Sequence, residues 1–169
     1  MNNTRFLILI FSTVFVSDSF GQVDSAMTDR SGVYNAIRLG VGIEKSPYLE
    51  LGYSRIAIVD KSWPGSLCFY AAGQINVSNE EEKARYTYGG KAGFETAWMI
   101  GMWGAEIKYL TNDKESQVYF TPKVGLSALG FVSILYGYNV PKKDTLNEIG
   151  SHQISITLNW SKKLVRYFK

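Results

Sequence analysis

The feature that most constrains this chain is an alternation of apolar and polar residues with a period of two, which runs from Gly32 to Trp160. Successive side chains of a β-strand point to opposite faces, so this period is typical of strands with one apolar and one polar face. The alternation falls into eight segments, which cover residues 36–44, 49–54, 67–77, 85–95, 103–109, 118–128, 132–139 and 153–160.

Two stretches depart from simple alternation. At Arg55 the pattern changes phase, because Ile56 and Ile58 fall in the opposite register to Leu51, and this predicts a bulge or a strand end. Residues 124–141 carry no charge, so a transmembrane helix is an alternative there. Glycine and serine interrupt that stretch and the alternation continues, which favours two strands that meet near Leu129–Gly130.

The composition is that of one folded domain. The chain has 169 residues, of which 46% are hydrophobic and 20% charged, and its formal net charge is +3. This charge is too small and too evenly spread to indicate a nucleic-acid partner. A single Cys and a single His exclude an intrachain disulfide framework and the usual zinc clusters. We therefore expect no metal, no cofactor and no nucleic acid.

The first residues have the pattern of a secretory signal peptide. Arg5 precedes an apolar run from Phe6 to Val16, and the small residues Ser19 and Gly21 occupy the positions before a cleavage site. The run is too short for a helix that crosses a bilayer. We predict a signal peptide in residues 1–21, a short flexible segment in 22–32, a barrel in 33–160, and a basic tail or the end of the last strand in 161–169.

The polar face of the strands determines whether the barrel is soluble or lies in a membrane. It is rich in Gly, Ala, Ser, Thr and Asn, and such small residues suit the narrow interior of eight strands. It also carries charges of both signs, which would have to pair in a closed interior. The predicted interior charges are Arg38, Glu44, Glu50, Arg85, Lys91, Glu95, Glu106, Lys108 and Lys123.

The apolar face is bulky, and many of its aromatic residues fall near segment ends, as in the girdles that mark the two membrane interfaces. The predicted interface aromatics are Tyr53, Tyr86, Tyr88, Trp103, Tyr109, Tyr136, Tyr138 and Trp160. We therefore predict an all-β fold, an eight-stranded antiparallel up-and-down transmembrane β-barrel. The alternative is a soluble barrel or sandwich, in which the apolar face would point inward.

The signal peptide, the eight segments and the motifs LGVG (Leu39–Gly42), LGYS (Leu51–Ser54) and YGYN (Tyr136–Asn139) resemble small bacterial outer-membrane β-barrel proteins of the OmpA/OmpX-like kind. The resemblance implies the cell outer membrane as location, with outer-membrane lipid and the barrel assembly machinery as partners. Family members usually end on an aromatic residue, whereas here Lys169 follows Phe168. Two alternatives therefore remain for the last strand, which either ends at Trp160 or continues into residues 161–169. The implied role is that of a monomeric structural or interaction protein with a plugged interior, whose further partner is an unknown envelope protein.

Catalytic patterns are weak. His152 and Ser155 form H-x-x-S, whereas outer-membrane lipid A deacylases use H-x-S, and residues three apart on a strand lie on opposite faces. Glu95 and Glu106 resemble an acid–base pair, but the nearby lysines favour salt bridges. We therefore predict no enzymatic activity. The remaining alternatives are a narrow pore or small-ligand-binding barrel, a secreted soluble ligand carrier, and a lipid-modifying hydrolase.

Overall fold

The structure is a computed structural model that describes residues 31–59, 64–80, 83–112, 114–141, 146 and 149–163, with the backbone alone at 79, 80, 83 and 84. The predicted signal peptide, nearly all of the segment 22–32, and residues 164–169 of the predicted tail lie outside the described residues.

The described chain is built almost entirely of strands and turns. The strands are β1 (Gly32–Ile43), β2 (Pro47–Val59), β3 (Gly65–Glu80), β4 (Lys83–Trp98), β5 (Gly101–Thr111), β6 (Ser116–Ala128), β7 (Val132–Tyr138), β8 (Val140–Pro141) and β9 (His152–Trp160). In this part of the chain, no helix is long and apolar enough to cross a membrane.

The strands form one closed antiparallel barrel. Each strand from β1 to β6 pairs with its neighbour in sequence, and the pairing of β1 with β9 closes the sheet through β7. The short strand β8 continues β7 in the same register against β6, with a single interruption at Asn139. Together β7 and β8 therefore act as one strand. The predicted all-β, eight-stranded antiparallel barrel is confirmed.

The barrel has two distinct ends. The terminal end holds the first residues of β1, β3, β5 and β7 and the last residues of β2, β4, β6 and β9. The loop end holds the last residues of β1, β3, β5 and β8 and the first residues of β2, β4, β6 and β9. This follows from the up-and-down order, because every second connection lies at the same end.

The bulge or strand end predicted at Arg55 is wrong. β2 pairs with β1 and β3 in one unbroken register through Arg55, from Pro47 to Ile58 with β1 and from Tyr48 to Val59 with β3. Ile56 and Ile58 are inward residues with 0% and 2% exposure. The sequence pattern changes phase because the interior itself becomes apolar near the terminal end, where Ile56 and Ile58 pack with Ala36, Cys68 and Tyr70.

The uncharged stretch 124–141 forms the β6–β7 hairpin and its continuation in β8. Its turn falls at the predicted Leu129–Gly130, where both residues have positive φ angles, 49° and 79°. β4 continues to Trp98, and the turn to β5 lies at Met99–Ile100. The alternation of the fourth segment stops at Glu95 because Ala97, the next inward residue, is itself apolar.

The distribution of polarity is opposite to that of a water-soluble globular protein. Among the described residues, 33 large hydrophobic side chains are exposed, whereas 23 polar or charged residues and only 14 hydrophobic residues are buried. Soluble monomers rarely expose a contiguous apolar surface of this extent. The exposed apolar residues alternate along the strands with buried polar ones, so the outer wall is apolar and most of the interior is polar.

Candidate functional site

Glycines on the inner wall provide the space for large charged side chains in a narrow barrel. A Cβ atom at Gly40 would overlap Cγ of Glu50, and one at Gly93 would lie 2.8 Å from Cβ of Glu106. At Gly104 a Cβ atom would lie 3.1 Å from Cγ of Glu95. Each of these carboxylates therefore lies against a position without a side chain on a neighbouring strand.

Three carboxylates and three cations form a closed ring of ion pairs, which we call the ion ring. Arg38 donates from Nε to Glu50 at 2.7 Å, and from Nη1 and Nη2 to the two oxygens of Glu95 at 2.9 and 2.7 Å. Such a bidentate pair fixes the orientation of both groups.

Lys123 and Lys91 complete the ion ring. Nζ of Lys123 lies 2.7 Å from Glu95 Oε1 and 3.0 Å from Glu106 Oε2. Nζ of Lys91 is paired with Glu50, and it lies 3.9 Å from Glu106 Oε2. Opposite charges therefore alternate around the whole ring, and no charge stands without a counter-charge.

A fourth cation and a fourth carboxylate, Lys108 and Glu44, extend the ion ring toward the loop end. Nζ of Lys108 lies 3.8 Å from Glu106 Oε1, 2.5 Å from Glu44 Oε1, and 2.7 Å from Oε1 of Gln153, to which it donates. Glu44 also accepts from Nδ2 of Asn76 at 3.2 Å. The eight side chains are at most 2% exposed. Four cations and four carboxylates are thus buried as a neutral set.

Three inward tyrosines pack against the cations. The ring of Tyr70 lies 3.8 Å from Cζ of Arg38 and 4.8 Å from Nζ of Lys123. Its hydroxyl donates to Glu106 and accepts from Lys123. Tyr48 and Tyr119 face Lys91 and Lys108 in the same way, at 5.0 and 6.0 Å. These rings fill space between the charges and add cation–π attraction.

The structure places eight of the nine predicted interior charges in this network, and the exception is Arg85. Its side chain is exposed, although it shares the inward register of Thr87 on β4. The reason is its height: β4 pairs with β5 only from Tyr88 onward, so Arg85 lies where β3 and β4 extend beyond their neighbours. The assignment of Arg85 to the interior is therefore wrong.

The predicted interface aromatics are all exposed on the outer wall, with 40–58% of each residue accessible. Most lie near strand ends, and Tyr53 is the exception, because it is the seventh of thirteen residues in β2. The loop end carries Tyr86, Tyr88, Tyr109, Tyr136 and Tyr138, and the terminal end carries Trp103 and Trp160. Trp98, which the pattern did not single out, is 67% exposed at the terminal end.

His152 and Ser155 lie on opposite faces of β9, His152 exposed and Ser155 buried. Nδ1 of His152 lies 2.6 Å from the hydroxyl of Tyr136 on the outer wall. The carboxylates Glu95 and Glu106 share Lys123 in the ion ring. Within the described part of the chain, no three His, Cys, Asp or Glu side chains are grouped so that they could hold a metal ion.

The alternation of apolar and polar residues does not identify the inward tyrosines or the amides that complete the network. Tyr48, Tyr70 and Tyr119 occur in the polar register of their strands, and a bulky aromatic in that register is the signal that could have identified them. Gln153 donates to the hydroxyl of Tyr48 at 2.8 Å and accepts from Lys108, so it joins β9 to the network.

Comparison with known proteins adds no assignment: no protein-family model, no curated protein and no solved structure matches this chain.

Proposed function

We propose that this protein is a bacterial outer-membrane β-barrel, exported by the signal peptide in residues 1–21, which acts as a non-catalytic structural or interaction protein of the cell envelope. The observation that carries the proposal is the inverted polarity of the barrel. A wall of exposed Ile, Leu, Val and aromatic residues surrounds a neutral set of buried ions. A hydrocarbon environment stabilises this arrangement, whereas water would leave the outer wall unfavourably hydrated.

Strand length and aromatic placement support the same environment. A tilted strand of about 9–11 residues crosses a bilayer. β1, β2, β5 and β6 have 12, 13, 11 and 13 residues. Tyrosines at the loop end and tryptophans at the terminal end would then lie at the two interfaces. The partners in this proposal are outer-membrane lipid, the barrel assembly machinery and one envelope protein of unknown identity, and the barrel acts as a monomer.

The ion network supports a plugged interior rather than an open conduit. An ion that enters from solution would have to displace paired charges from the ion ring. Conductance of the refolded full chain in planar bilayers tests this part of the proposal. We expect no sustained single-channel steps, whereas sustained steps would favour the narrow pore.

The location is tested by membrane fractionation together with heat-modifiable gel migration. We expect the full chain in the outer-membrane fraction, with the unheated folded form migrating differently from the heated form. Partition into the aqueous phase without detergent would instead favour a secreted soluble carrier.

A further inference from the structure

The outer wall carries a groove that crosses six strands, from β9 through β1, β2, β3 and β4 to β5. Two rows of outward residues, each paired from strand to strand, form its sides. The first row consists of Leu158, Leu39, Leu51, Gly73, Gly90 and Tyr109. The second row lies two residues nearer the loop end on each strand and consists of Ile156, Val41, Leu49, Ile75, Tyr88 and Thr111. We call the space between these rows the oblique groove, and its volume is about 970 Å³.

The oblique groove is open at the two glycines of its first row. Apart from its chain neighbours, a Cβ atom at Gly73 would meet no atom closer than 3.8 Å, and one at Gly90 would meet none closer than 3.9 Å. At Gly40 and Gly93 of the inner wall, a Cβ atom would instead crowd the side chain of a glutamate. The inward glycines therefore make room for charges of this chain, whereas Gly73 and Gly90 leave space that no described residue fills.

The two ends of the oblique groove differ in height and in chemistry. Leu158 is two residues from the end of β9 at the terminal end, whereas Tyr109 is two residues from the end of β5 at the loop end. The groove therefore descends from the loop end as it passes from β5 to β9. Its side-chain hydroxyl groups lie together at the upper end, on Tyr88, Tyr109 and Thr111, and all other residues of the two rows are aliphatic or glycine.

The dimensions of the oblique groove match one leaflet of a bilayer. Strands that lie about 4.8 Å apart give it a length of roughly 24 Å from β9 to β5. At a strand tilt of about 40°, this length covers roughly 15 Å of depth. One leaflet occupies half of a hydrocarbon core that is about 30 Å thick. The groove thus extends from the tyrosines at the loop end to about the middle of such a core.

Shape decides what the oblique groove can hold in a membrane. Within hydrocarbon, association depends on close packing, because no apolar surface is removed from water. A chain of methylene groups fits between the two rows and contacts the floor and both sides. A second barrel would present a convex wall, which reaches the rim of the groove more readily than its floor. The shape therefore favours a lipid chain over a second copy of this protein.

We propose that the oblique groove binds one acyl chain of a lipid from the leaflet at the loop end, with the ester end of the chain beside Tyr88 and Tyr109. Tyrosine places its ring in the apolar layer and its hydroxyl at the level of the headgroups. The inference deepens the proposed function, because it rests on the membrane location and specifies where the lipid partner binds. It would fail in lipid retention, whereas the location would fail in membrane fractionation.

The first test varies the length of the acyl chain and leaves the protein unchanged. The folded full chain in detergent is titrated with dipalmitoyl or dihexanoyl phosphatidylethanolamine, and native mass spectrometry counts the retained lipids. We expect one dipalmitoyl lipid per barrel, and at least about tenfold weaker retention of the dihexanoyl lipid, whose chains leave most of the groove without contacts. Equal retention of the two lipids would show that the headgroup alone is bound and would overturn the proposal.

The second test fills the oblique groove by Gly73→Leu together with Gly90→Leu. Gly101→Leu is the matched control, because Gly101 is an exposed glycine at the terminal end, where a Cβ atom would meet only the carbonyl oxygen of Trp98 at 3.7 Å. Ile75→Trp narrows the groove from its side without changing a glycine. Heat-modifiable migration selects the folded form of each variant.

We expect both groove variants to retain the dipalmitoyl lipid at least about tenfold more weakly than the parent, and Gly101→Leu to retain it like the parent, because only the groove variants occupy the space of the chain. Retention that is unchanged in both groove variants would overturn the site. A complex of two chains that carries no lipid, and that the groove variants abolish, would assign the groove to a second copy and would also overturn the proposal.

Discussion

Strand β2 contributes side chains to two regions of the barrel interior, of which one is charged and the other is apolar. In its loop-end half, β2 places Glu50 inside, where it pairs with Arg38 and Lys91. In its terminal half, the same strand places Ile56 and Ile58 inside, in an apolar cluster. The apolar region depends on close packing, and each residue contributes separately. The charged region is stable only as a neutral set, so the loss of one member leaves another uncompensated.

The largest effect should come from Arg38→Met in the ion ring. The substitution leaves Glu50 and Glu95 without their shared guanidinium, and breaking a buried ion pair in this way costs about 3–5 kcal/mol. The free energy of unfolding in detergent measures the effect. Addition of Glu50→Met restores a neutral set of three pairs, so the double variant should be less destabilised than the sum of the two single variants. If the two losses of unfolding free energy simply add in the double variant, Arg38 and Glu50 are not paired in the ion ring.

Lys91→Met should destabilise the barrel by about 3 kcal/mol, because Glu50 then keeps only Arg38 and Glu106 loses one of its nearby cations. The matched control is Lys114→Met at the exposed loop end, which should change stability by less than about 0.5 kcal/mol. The comparison is made on unfolding midpoints in the same detergent. Equal midpoints for the two variants would mean that Lys91 is not buried in the interior.

In the apolar region, Ile56→Ala should cost about 2–4 kcal/mol, because it removes buried methyl groups and leaves a cavity. Tyr70 belongs to both regions, so their independence is tested at Glu44, the carboxylate of the network nearest the loop end: Ile56→Ala and Glu44→Gln should add in the double variant. A double variant far from additivity would show that the loss at Ile56 extends through the whole network. The measurement is again the free energy of unfolding.

The substitution Leu51→Lys tests whether the outer wall of the barrel contacts hydrocarbon or water. Leu51 is 63% exposed and lies in the middle part of β2. In a bilayer, lysine near the midplane should cost about 2–4 kcal/mol, whereas in water it would be within about 0.5 kcal/mol of the parent. Refolding into lipid vesicles measures the difference, and Lys114→Leu is the control at the loop end. An unchanged stability would contradict lipid contact at Leu51.

The sequence predicts which face of a strand a residue occupies, but not its height along the barrel. The face follows from the period of two, so the sequence alone assigns Lys91, Lys108 and Glu106 to the inner face. Height depends on strand register and strand length. Arg85 has inward register and still lies beyond the end of β5, and Ile56 has inward register at a level where the filling is apolar.

The sequence also does not predict contacts between a loop and the strands of the barrel. Leu146 and Ile149 look like scattered apolar residues in a polar connection, and only the path of the chain brings them onto Leu110 and Tyr119. The pairing pattern of the ion ring has the same origin. The charges could be counted as nearly balanced, but the shared position of Lys123 between Glu95 and Glu106 depends on three strands at once.

The most direct test compares spin labels on neighbouring residues of β9 in lipid vesicles, with Cys68 replaced by serine. Ile156→Cys places a label on the outer wall, where the native side chain is 49% exposed, and Ser155→Cys places one inside. We predict that the label at position 156 is reached by oxygen dissolved in the bilayer and not by a water-soluble nickel chelate. Ready access of the nickel chelate to position 156, equal to that at Lys114→Cys, would contradict an outer wall in contact with hydrocarbon.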